Sequence, residues 1–146
     1  MIKSILLSVI ALLLGEIAIA EPASAPAPAP NGSETAILKE RLEVLRKIVE
    51  IAKVRHQNGG GGLEDVLRAE LEVSEAELDL SPTAEERLKV LTAIVDLHRQ
   101  LEKRLNEAAK LGDRDVISAL RAKVNRLKAE SVLERAKAEA NSNSKK

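Results

Sequence analysis

The side chains of this chain best suited to chemistry are two histidines, His56 and His98, a large set of carboxylates, and Ser118 just beyond a glycine break. A metal site needs several ligands at defined spacing. The two histidines do not match in the repeated sequence described below, and the chain has no Cys to join them. Neighbouring carboxylates on a helix face become an acid–base pair only where a pocket shifts their pKa values, and the pattern offers no such pocket. Ser118 has no base near it in sequence and no triad signature around it. The run Gly59-Gly60-Gly61-Gly62 is not a phosphate loop, because no Lys-Ser/Thr follows it and no strand precedes it. No catalytic residue, no metal ligand and no cofactor is therefore expected, and the chain reads as a non-enzyme.

Composition narrows the classes further. The 146 residues carry 23 Lys and Arg against 23 Asp and Glu, so the formal charge is zero. That balance gives no long-range attraction to nucleic acid or to an acidic membrane. With no Phe, Trp or Tyr, base stacking is impossible and the aromatic anchors usual at lipid interfaces are missing. Nucleic acid and stable membrane insertion are both excluded as expectations. The absence of Cys rules out a disulfide framework and thiol lipidation. A core must come from Leu, Ile, Val and Ala, within a composition of 45% hydrophobic and 32% charged residues that suits a globular or coiled-coil chain of one domain.

The elements that would carry such a core are written twice. Glu40-Arg41-Leu42-Glu43-Val44-Leu45 returns as Glu86-Arg87-Leu88-Lys89-Val90-Leu91, an offset of 46. Gly59 followed by Val66-Leu67-Arg68-Ala69 returns as Gly112 followed by Ala119-Leu120-Arg121-Ala122, an offset of 53. Each copy reads helix, glycine break, helix, and a duplicated supersecondary unit is the first thing such a sequence specifies. The fold class is all-α: two tandem helical hairpins, four helices, in a coiled-coil-like or antiparallel bundle.

In chain order, residues 1–20 have the form of a secretory signal: Lys3, a short apolar run from Ile5, and the small-x-small site Ala18-Ile19-Ala20. The apolar run is too short to span a bilayer, which takes ~20 residues. Cleavage is expected after Ala20, giving a secreted or periplasmic chain. Residues 21–32, rich in Pro and Ala, form an extended leader, with Asn31-Gly32-Ser33 matching a glycosylation acceptor relevant only in a eukaryotic host. The helical domain covers residues 33–140, in repeats of about 36–80 and 83–138, and residues 141–146 form a fraying tail.

The first helix is expected over 33–56, capped by Ser33 and ended by the glycine run; the second over 63–80. The third is expected over 83–111, with Ser81 or Thr83 as cap and Thr83-Ala84-Glu85-Glu86 as a capping box. From the glycine offsets it should be two turns longer than the first. Asp115 caps the fourth, which runs to about Ala140. Leu38, Leu42, Leu45, Ile48, Val49 and Ala52 make a stripe on the first helix, widened by Ile37, Val44 and Ile51. A stripe that wide calls for more than one neighbour, and two hairpins packed together would supply them. Ile117, Leu120, Val124 and Leu127 follow the alternating three- and four-residue steps of a coiled-coil seam. The second helix has seven acids against Arg68 alone. Its expected partners are Arg121, Lys123, Arg126 and Lys128 of the fourth.

The repeated pattern also resembles a known family. Glycine, a capping position, then apolar-Leu-x-Ala appears as Gly112, Asp115, Ser118 and Ala119-Leu120-Arg121-Ala122, and again as Gly59, Gly62, Asp65 and Val66-Leu67-Arg68-Ala69. This is similar to the helical repeat of TolC-type outer-membrane efflux proteins, across roughly residues 40–138. The resemblance implies a duplicated, exported, helix-pair module of the cell envelope whose repeat residues are Gly59, Leu67, Arg68, Ala69, Gly112, Asp115, Leu120, Arg121 and Ala122. The alternating strands of a membrane barrel are missing from the sequence, so export activity does not transfer with it. The expected partners are protein helices, through self-association or an envelope assembly. The alternative is a periplasmic helical-hairpin chaperone or stress protein.

Overall fold

A computed structural model describes residues 32–112 and 115–143. The expected signal, its cleavage site, the leader up to Asn31 and residues 144–146 lie outside the described residues. Four helices account for nearly all the rest: α1 Gly32–Gln57, α2 Leu63–Leu80, α3 Ala84–Lys110 and α4 Val116–Asn143. The protein is all-α, two tandem hairpins.

Local signals set the boundaries. At Gly59 the backbone turns left-handed (φ 72°), and Gly60 N–H donates back to the Arg55 carbonyl at 2.8 Å. Gly112 repeats the turn after α3 (φ 78°). Only glycine adopts that conformation without a Cβ penalty, so both copies end their first helix the same way. Gly62 precedes α2, and its N–H donates to the Asp65 carboxylate at 3.2 Å. Pro82 separates α2 from α3. Of the two candidate caps it is Thr83 that serves: Glu86 N–H donates to its hydroxyl at 3.1 Å, and the Glu86 carboxylate accepts from Thr83 N–H at 3.2 Å. Asp115 caps α4, its carboxylate accepting from Ile117 N–H at 3.0 Å.

Three expectations about the ends are corrected. Gly32 opens α1, so the helix takes the last residue assigned to the leader, and Ser33 lies inside the first turn rather than capping it. Asn141, Ser142 and Asn143 are helical, not a frayed tail, because no proline or glycine stops α4 and Ser142 bonds its hydroxyl to the Glu139 carbonyl. α3 is 27 residues and α1 is 26, not two turns apart. The turns that α3 adds before its glycine are matched by turns that α1 adds before the repeated motif, where no proline stands in the way.

Among the described residues, backbone contact between helices joins successive ones only: α1 with α2, α2 with α3, α3 with α4. Ion pairs give the directions. Arg41–Asp79, Arg46–Glu77 and Lys53–Glu70 run oppositely along α1 and α2, so the pair is antiparallel. α2 buries two sides, Val66, Ala69 and Ala76 on one and Leu67, Leu71 and Ser74 on the other. The main core draws on three helices: Leu67 and Leu71 of α2, Ile94, Leu101 and Leu105 of α3, and Ala119 and Ala122 of α4. A second cluster joins Leu91 and Val95 of α3 to Leu133 of α4. α1 contributes to neither; its buried residues are Leu42 and Val49.

This order of contacts overturns the expectation that pairing the hairpins hides every apolar stripe. The hairpins meet through α2 and α3 only. α1 and α4 are therefore outer helices, each with one covered side. The charge pairing is corrected for the same reason. The acids of α2 pair with Arg41, Arg46 and Lys53 of α1 and with Arg104 of α3, not with α4.

Candidate functional site

The repeat residues show what the architecture does with one motif used twice. Gly59 and Gly112 make the same turn. Ala69 and Ala122 are both buried, where a small side chain lets α2 approach α1 and α4 approach α3. Arg68 and Arg121 are both exposed. Leu67 and Leu120 differ: Leu67 is 4% exposed in the core, whereas Leu120 is 57% exposed. α3 follows α2 and covers Leu67, and among the described residues no helix covers Leu120.

Leu120 belongs to a larger surface. Ile117, Leu120, Val124 and Leu127, the seam expected to be buried, are 49–57% exposed on the side of α4 away from α3. Arg121, Lys123 and Lys128 flank this stripe and have no partner among the described residues. α1 carries a second bare stripe. Ile37, Val44, Ile48 and Ile51 share one side of the helix and are 44–64% exposed. Glu40, Glu43, Lys47 and Glu50 border this stripe on one side, and Arg41 and Arg55 fall within the same three- and four-residue steps. Among the described residues two largely apolar surfaces, one with a basic border and one with charges of both signs, therefore sit on the first and last helices. Such patches mark interaction surfaces. Sequence periodicity located the α4 residues but assigned them inward. The bare side of α1 was visible only as excess width of its stripe.

Between α1 and α3, over α2, runs an open trough of about 1060 Å³. Its apolar walls are Val49 and Ile51 of α1, Val73 of α2, and Ala93 and Leu97 of α3, with Arg46, Lys53, Glu70 and Asp96 at its rim. Periodicity gave no sign of it, because a groove is made by helices that fail to touch.

Neither histidine joins a constellation. His56 Nδ1 donates to the Gly61 carbonyl at 3.0 Å and helps close the loop after α1. His98 is half-buried on α3, and its Nδ1 is buried without a hydrogen-bond partner. Burial pushes its pKa below 6.5, opposed by the nearby Glu75 carboxylate. A base with a depressed folded pKa binds fewer protons folded than unfolded. Stability is thus expected to fall as pH drops below about 6.5, levelling off below the folded value. Melting followed by far-ultraviolet circular dichroism should show a smaller loss between pH 7 and pH 5 for His98→Leu than for the wild-type chain. Equal losses would mean that His98 carries none of the pH dependence. No group of three or more His, Cys, Asp or Glu among the described residues is placed to hold a metal ion.

The polar contact of most consequence is structural. Arg126 of α4, largely covered, bonds Glu102 of α3 and also Glu130, at 2.7 Å. Arg99 of α3 reaches Glu130 at 2.9 Å and Asp96 at 3.1 Å. Hydrogen bonds from Arg99 and then Arg126 hold the Glu130 carboxyl below its ordinary range. This network fixes the register of α4 on α3 and leaves the outer side of α4 untouched. Among the described residues no helix is long and apolar enough to cross a membrane. No family model, no curated protein and no solved structure matches the chain.

Proposed function

We propose that this protein is an exported, non-enzymatic helical interaction protein of the cell envelope, similar in its helix-pair module to the TolC-type outer-membrane efflux proteins. The observation that carries the proposal is the pair of bare apolar stripes on α1 and α4, each bordered by charge and the one on α1 interrupted by Arg41. Leaving four large aliphatic side chains half in water on each outer helix forgoes roughly 1–2 kcal/mol per residue that a covering helix would recover. Its work is to pack against other helices.

A photo-crosslinking residue at Val124 or Ile48, introduced in the native host, should capture a defined protein in the envelope fraction. The recovered chain should have an intact mass beginning at Glu21. No adduct from either helix would end the packing role, and a chain beginning at Met1 would end the cleaved-signal part of it. The trough over α2 favours a second function, holding of unfolded clients by a periplasmic hairpin chaperone. Suppression of client aggregation at stoichiometric amounts, undiminished when both outer stripes carry Glu substitutions, is its signature.

A further inference from the structure

The duplication specifies what fits the two bare stripes. With the offset of 53, Leu67 and Leu71 on α2 correspond to Leu120 and Val124 on α4, and Ser74 corresponds to Leu127. With the offset of 46, Val90, Ile94 and Leu97 on α3 correspond to Val44, Ile48 and Ile51 on α1. Leu67 and Leu71 pack with Val90, Ile94 and Leu97 in the core that joins the two repeats. The bare stripe of α4 is thus the counterpart of the α2 side of that joint, and the bare stripe of α1 is the counterpart of its α3 side. Among the described residues one chain presents both halves of its own internal interface, uncovered, on its first and last helices. From this correspondence we infer that the protein associates with a second copy of itself head to tail. α4 of one molecule lies antiparallel on α1 of the next, repeating the α2–α3 contact between molecules. This rests on the helix-packing role proposed above and names the partner.

The borders of the stripes support the same pairing. Glu70 and Glu75 of α2 become Lys123 and Lys128 in α4, while Lys89 of α3 becomes Glu43 in α1. The α4 side has exchanged sign at two positions and the α1 side at one, while Glu50 keeps the acid of Asp96 and Arg55 stands where Leu101 packs in the joint. Glu70 and Asp96 line the same trough; their counterparts are Lys123 and Glu50, which would face each other as an opposite-charge pair. A symmetric α4–α4 contact would instead set Arg121, Lys123 and Lys128 against their own copies, which costs association. The helix ends agree as well. α4 continues past Leu133, the counterpart of Leu80, and α1 begins before Leu38, the counterpart of Ala84. In an antiparallel pair these two extensions run alongside each other. Stacked repeats usually close their ends with polar faces; both ends here are apolar, which is what continued stacking needs. A head-to-tail contact closes as a ring or grows as a filament.

The test is complementation between two variants of the exported chain, purified without denaturant. Light scattering of the wild-type chain should show mass rising with concentration. Leu120→Glu spoils the α4 stripe and Ile48→Glu the α1 stripe. Both positions are exposed, so circular dichroism should show unchanged helix content. Each variant alone should need a concentration roughly ten- to a hundredfold higher for half assembly. Mixed together they should form one-to-one dimers at the wild-type concentration and nothing larger, because one intact α4 and one intact α1 remain. Lys123→Glu should weaken assembly, and adding Glu50→Lys should restore it. Dimers of Ile48→Glu alone, with no gain on mixing, would overturn the head-to-tail contact in favour of a symmetric one. A wild-type chain that stays monomeric at all concentrations would overturn it outright. If that monomer crosslinked through Val124 to another protein, the packing role would survive. If it bound vesicles of phosphatidylglycerol instead, the α4 stripe would be a lipid-facing surface.

Discussion

Leu67→Ala is expected to lower stability by about 2–5 kcal/mol, and Leu120→Ala, at the corresponding position of the second repeat, by less than about 0.5 kcal/mol. The two residues occupy the same place in the same motif, so sequence gives no reason for a difference. The packing does. Leu67 is buried with Leu71, Ile94, Leu101 and Leu105, and truncating it leaves a cavity among side chains that cannot close around it. Leu120 has solvent on its outer side, and its truncation removes contacts that the single molecule does not make. The measurement is urea denaturation followed at 222 nm, since a chain without aromatic residues has no intrinsic fluorescence to follow. It must be made at a concentration where the chain is monomeric, because association would stabilise through Leu120 by mass action. Equal losses at both positions would mean that α4 is covered on its outer side within one molecule, and the open order of helices would be wrong.

The second large effect concerns α1. Among the described residues it touches α2 alone, through the buried Leu42 and Val49 and three exposed ion pairs. Exposed pairs contribute roughly 0–1 kcal/mol each, so the apolar contact decides whether α1 stays docked. Val49→Asp places an unpaired carboxylate in that contact. Undocking of α1 relieves the cost without opening the core shared by α2, α3 and α4. Amide hydrogen exchange should show protection in α1 falling by roughly a hundredfold, with protection in α3 and α4 largely retained. A uniform loss over all four helices would show instead that α1 folds as part of one cooperative unit with the rest.

How much of this was legible in the sequence follows from the range of each physical cause. Helix boundaries came through well where the signal is local. Gly59 and Gly112 stop helices by supplying a left-handed residue, and Pro82 with the Thr83–Glu86 box starts one. These act within a few residues and need no neighbour. The ends that differ are Gly32, where Ser33 offered a cap that the helix passes by, and Asn143, where no such signal stands. Charge was misread for the opposite reason. An acidic α2 calls for basic partners, but several helices offered them, and only contact order picks Arg41, Arg46 and Lys53 over Arg121, Lys123 and Lys128.

Sequence alone determined that the protein is built from four amphipathic helices in two copies of one hairpin, because period, glycine and capping residues act through the chain's own backbone. Which apolar sides are covered was decided only in three dimensions. A stripe of Leu, Ile and Val records that a surface is apolar, not what lies against it. α2 and α3 are flanked on both sides by successive helices, while among the described residues α1 and α4 have a neighbour on one side only. That position in the stack, and nothing in the motif, separates the buried Leu67 from the solvent-facing Leu120.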